Sequence, residues 1–124
     1  MSKGRLSPIS RDELTIRRAQ REVAYYLRAK GERWSRLSKH YRNVTYLVEE
    51  VGELARAVIN IERKEELGRR GLNRSQRARL HATKDALGDI LYLLFGISVA
   101  YGIDLQRAFQ DSMRIIKKRY PVSH

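Results

Sequence analysis

The chain has 124 residues, 42% of them hydrophobic and 32% charged, which is enough apolar surface for one compact domain and excludes a disordered polyelectrolyte. It contains no cysteine, so neither a disulfide framework nor a thiolate zinc site is available, and any metal falls to oxygen or histidine ligands. The formal net charge of +12 attracts polyanions such as nucleotides, nucleic acid or an acidic membrane surface.

The opening "MSKGRLSPIS" lacks a secretory apolar run, and the longest apolar stretch, Ile90 to Tyr101, falls below the roughly 18 residues of a membrane span. A soluble, cytoplasmic protein without a membrane partner is expected. Residues 1–9 read as a flexible N-terminal tail of a single domain spanning residues 1–124. The two prolines, Pro8 and Pro121, stand near the ends, and nothing between them alternates with period two, so the interior reads as helical.

The first helix is predicted from Ser10, where "SRDE" has the form of a capping box closed by Glu13, through Leu14, Ala19, Val23 and Leu27 to Gly31. The second begins between Ser35 and Asn43 and ends by Gly68. Its stripe Leu47, Val51, Leu54, Val58 and Ile61 marks one buried face. The basic connector "GRRGLNRSQR" offers Asn73 or Ser75 as the cap of a third helix, which stops at Gly102. A fourth runs from Asp104 to near Tyr120, ahead of Pro121. The fold expected is all-α, a four-helix bundle completed by oligomerisation.

Carboxylates sit beside the apolar stripes. Glu50 and Glu53 flank the seam of the second helix, with Glu49 at the edge of the same cluster. Asp85 and Asp89 share one face of the third helix with Tyr92 and Gly96. If the two helices pack together, these acids cannot all stay ionised in a partly buried site without cations. Mg²⁺ suits them, because it takes oxygen ligands, keeps several waters and is commonly completed by substrate phosphates. The competing reading is that the acids are solvated shoulders paired with Arg56 or Lys84.

The stretches "LVEEVGELARAV" (Leu47 to Val58), "LGDILYLLFGISVAYGIDL" (Leu87 to Leu105) and "KRYP" (Lys118 to Pro121) resemble MazG-type nucleoside triphosphate pyrophosphohydrolases, from about Trp34 to Pro121. The resemblance implies an all-α dimeric or tetrameric enzyme that cleaves a (deoxy)nucleoside triphosphate to monophosphate and pyrophosphate with Mg²⁺, or Mn²⁺ in its place. By position in the EExxE and ExxD elements, it implies Glu50, Glu53 and Asp89 as metal ligands and Glu49 as the residue that orients or deprotonates the attacking water. The first acid of ExxD is replaced by Ala86, and Asp85, about 40° from Asp89 around the helix, is the candidate substitute. Ser112 and Ile116 stand where the family often has Lys and Asn. A rebuilt site using Asp85 and Lys117, and a catalytically silent nucleotide-sensing homologue, are the two outcomes this leaves open.

Trp34 is the candidate for stacking on a base, and Tyr92 and Lys117 for lining the substrate pocket. A function of another class is a basic helical module binding nucleic acid through Arg69, Arg70, Arg74, Arg77 and Arg79.

Overall fold

A computed structural model of the chain describes residues 13–30, 37–66 and 74–123; for residues 37–42 and 60–66 it describes the backbone alone. Within these residues the chain forms helices α1 (Ile16–Ala29), α2 (Leu37–Glu66), α3 (Arg74–Ala100) and α4 (Leu105–Arg119), and no strand. Among the described residues no single helix is long and apolar enough to cross a membrane. The expected start at Ser10 and the tail at residues 1–9 lie outside the described residues, but the expected passage of the first helix through Leu14 does not hold. Leu14 is non-helical, and Thr15 caps α1 from extended backbone, its hydroxyl accepting the Arg18 N–H at 3.1 Å. A threonine one residue ahead of the helix satisfies an orphan donor where "SRDE" was expected to do so.

The α2–α3 pair is the body of the molecule. The two helices pack on each other, and the seven residues that join them make the pair an antiparallel hairpin. The seam of α2 is Asn43, Leu47, Glu50, Leu54 and Ala57, all buried or half-buried; that of α3 is Arg79, Thr83, Ala86, Ile90, Leu93 and Ile97. Both repeat at alternating steps of three and four, the spacing that keeps one line of side chains facing a partner helix. The predicted face of α2 is therefore rotated: Leu47 and Leu54 lie in the seam, whereas Val51 and Val58 remain 47% and 37% exposed. Together with Val44 and Val48 they form a second apolar stripe, one residue after each seam position. Leu80, Leu87, Leu91 and Leu94 form its counterpart on α3 and are likewise exposed.

α1 packs on α3, and α4 packs on α1. α3 ends in a Schellman turn: the Ile103 N–H reaches Ser98 O at 2.9 Å and the Gly102 N–H reaches Val99 O at 3.2 Å, with Gly102 at φ +64°. The axis then bends by 108° into α4. Asp104 caps α4, accepting the Arg107 N–H at 3.2 Å. Tyr120 leaves helical geometry just before Pro121, where the proline ring disfavours it.

The N-termini of α1 and α4 satisfy each other's orphan donors. The Arg17 N–H donates to Oε1 of Gln106 at 2.9 Å, and the Leu105 N–H donates to Oε1 of Gln20 at 3.0 Å. Gln20 also donates to Ile103 O at 2.6 Å, and the Arg17 guanidinium donates to Oδ2 of Asp104 from Nη2 at 2.9 Å and Nε at 3.2 Å. The Arg17 side chain holds the Asp104 carboxyl below the usual aspartate range, aided by the Arg107 N–H. A carboxyl lowered on folding stabilises the fold above its unfolded pKa, and that contribution is lost as the pH falls through the folded value.

No atom stands within 4 Å of a Cβ built on Gly102, so Gly102→Ala meets only the backbone penalty of a left-handed residue. The variant is expected to lose about 1 kcal/mol, read as a lower urea midpoint with an unchanged slope.

Candidate active site

The α2–α3 register places the acidic positions on one side of the seam. Glu49 and Glu53 each precede a seam residue of α2; Asp85, Asp89 and Tyr92 each precede one of α3. In an antiparallel pair both sets open toward the same side. Glu50, in the seam itself, is half-buried, whereas Glu49, Glu53, Asp85 and Asp89 are exposed. Partial burial raises the Glu50 carboxyl above the usual glutamate range, and the charges of Glu53, Asp89 and Glu49 push it the same way. The packing of α2 on α3 thus brings Asp89 to the acids of the "EEVGE" element.

Asp85 stands apart from that group. Its Oδ2 lies 3.5 Å from Nε2 of His81, one turn earlier on α3, with both side chains largely exposed. Ala86 is 6% exposed and sits in the seam with α2. An acid at position 86 would enter from the seam, whereas Asp85 approaches from the solvent side, which is the geometric content of the one-residue shift. Tyr92 is half-buried and meets Tyr26 of α1 edge to face, ring centroids 6.4 Å apart. Sequence reasoning missed Tyr26; its place on the helical stripe of α1 carries no sign of what it touches.

Lys117 lies elsewhere. It lines a shallow hollow on α4 with Phe109, Gln110, Met113 and Arg114, and no carboxylate of the cluster contributes to that hollow. Trp34, Arg69 and Arg70 lie outside the described residues. Arg74 and Arg77 are exposed at the start of α3 and Arg79 is half-buried in its seam. A further pocket of about 360 Å³ at the α1–α4 junction is lined by Arg17, Arg21, Val99 and Ile103 and is built by the interlocking helix ends rather than by the acids.

The acids fit a hard divalent cation in chemistry, since the donors are all oxygens whose mutual repulsion a cation relieves. Among the described residues no three carboxylate or histidine side chains are drawn together into a ready-made cage.

Among the described residues helices alone, with acids along one side of the central pair, define an all-α protein of the kind that places charged side chains between packed helices. A family model described as the MazG nucleotide pyrophosphohydrolase domain matches residues 38–124, and the chain belongs to that family. No curated protein and no solved structure matches the chain.

An acid raised on folding favours the folded state when protonated, so the contribution of Glu50 is greatest below its unfolded pKa and is lost as the pH rises through that value toward the folded one. Above its folded pKa the Glu50 charge therefore opposes folding. Glu50→Gln is expected to raise the thermal midpoint at pH 7 in EDTA, and Mg²⁺ to raise the wild-type midpoint more than that of the variant. Scanning calorimetry checks both; a variant midpoint at or below wild type in EDTA contradicts the electrostatic reading.

Proposed function

We propose that the protein hydrolyses a (deoxy)nucleoside triphosphate to the monophosphate and pyrophosphate, in the cytoplasm and with Mg²⁺, or Mn²⁺ in its place. The observation that carries this reading is that the charges of Glu53, Asp89 and Glu49 bear on a half-buried Glu50, acids from two packed helices of a chain in a nucleotide pyrophosphohydrolase family. Glu50, Glu53 and Asp89 would hold the cation, with Asp85 as a further oxygen donor. The bound ion supplies charge to offset that of the phosphates.

The chain's own side chains do the rest. Glu49, exposed at the edge of the group, orients water and takes a proton as the water oxygen attacks phosphorus. The bond between the α and β phosphates breaks, and the electron pair leaves with pyrophosphate. Such chemistry depends on positioning and charge compensation more than on covalent help from the protein. A second reading, a homologue that binds the triphosphate and leaves it intact, is favoured by the pairing of Asp85 with His81.

Assembly is part of the proposal. Leu27, Ala86 and Phe95 are the buried hydrophobic residues among those described, while the valine and leucine stripes of α2 and α3 open together on the side opposite the acids. A second copy of the chain, in a homodimer or homotetramer, covers this face. It carries the same aliphatic stripe and so matches it without charges to bury, as a two-fold interface requires.

Release of pyrophosphate from a panel of triphosphates tests the chemistry. Glu53→Gln and Asp89→Asn are expected to lower it by about two orders of magnitude, the scale of losing one charge-compensating group. Binding without release would select the silent reading. For assembly, Leu91→Asp is expected to shift the mass measured by light scattering to that of one chain.

A further inference from the structure

α1 and α2 both pack on α3 and make no appreciable contact with each other among the described residues. The surface of α3 between them carries Asp89 and Tyr92. Glu50 and Glu53 of α2 stand on one side, Asp89 lies on α3, and Tyr92 follows one turn later, about 4.5 Å further along the axis. Tyr26 of α1 stands at the other side. Its ring meets Tyr92 at 70° and is 49% exposed, with Nζ of Lys30 at 5.2 Å from its centroid.

We propose that α1 is the base-holding wall beside α3, and that the Tyr26–Tyr92 corner holds the nucleobase of the triphosphate whose phosphates face the acids. The proposal rests on the triphosphate reading above and specifies how the base is held. Lys30 lies over one face of the Tyr26 ring and the ring remains about half exposed, and a base is a flat π-system that stacks on an exposed aromatic ring whatever its identity. The axial step from Asp89 to Tyr92 separates a cation-holding region from an aromatic one, as the phosphate and base ends of a nucleotide require. α1 is held in place by the reciprocal Arg17–Gln106 and Gln20–Leu105 bonds, so Tyr26 is presented by a fixed helix. The family model matches residues 38–124, so α1 and Tyr26 lie outside the matched residues.

Calorimetric titration with Mg²⁺ compares a non-hydrolysable nucleoside triphosphate with inorganic tripolyphosphate on the full chain. Wild type is expected to bind the nucleotide more tightly. Tyr26→Leu loses about tenfold in nucleotide affinity, the scale of one base–aromatic stack, and keeps its tripolyphosphate affinity; Tyr26→Phe keeps both. Equal nucleotide affinity for wild type and Tyr26→Leu overturns the proposal and leaves the hydrolase reading standing. A wild type that binds neither ligand overturns both. Should Tyr26→Leu not fold, NMR of the wild type decides: the Tyr26 and Tyr92 ring signals move with nucleotide and not with tripolyphosphate, and their failure to move refutes the assignment.

Discussion

The seam between α2 and α3 is the constraint from which the rest of the molecule follows. In an antiparallel pair, a position one residue before the seam on one helix opens on the same side as its equivalent on the other, because both helices turn right-handedly but run in opposite directions. One register therefore sorts the surface in two. Glu49, Glu53, Asp85 and Asp89 fall on one side; Val44, Val48, Val51 and Leu87, Leu91, Leu94 fall on the other. Slipping either helix by one residue would mix acids into the apolar face and strand valines beside the acids.

That sorting has an electrostatic cost, concentrated at Glu50. It is the one acid of the group that lies in the seam, so it loses water as well as meeting its neighbours' charges. A chain carrying +12 overall has ample basic residues to neutralise an acidic patch. The charges that bear on Glu50 are instead those of Glu53, Asp89 and Glu49. Asp85 illustrates how finely position decides role: one residue away from the seam line, it pairs with His81 on its own helix.

The α1–α4 junction solves a separate problem. Two helix N-termini brought together would leave unpaired N–H groups and two positive dipole ends side by side. The glutamines satisfy the donors, and Asp104 supplies a negative charge that both caps α4 and binds Arg17. The same junction positions α1 across the C-terminal half of α3, which explains why that helix is apolar on nearly every side after Asp89. Leu93 and Ile97 continue the seam with α2, while Val99 lines the junction with α1 and Tyr92 meets Tyr26.

The sequence by itself determined the local structure: four helices, the Gly102 stop, the Asp104 cap and the end before Pro121 are written in residues that act within a turn of their own position. It also placed Glu50, Glu53 and Asp89 beside apolar stripes, because a carboxylate next to a buried face is visible in helical spacing. Only the tertiary structure decided which of two apolar stripes on α2 is covered, since Val51 and Leu54 have the same hydrophobicity class and only the partner helix distinguishes them. It alone showed that the charge of Asp89 bears on Glu50 and that Asp85 turns to His81. The meeting of Tyr26 with Tyr92, residues 66 positions apart, is likewise a product of packing, to which no local pattern in the chain points.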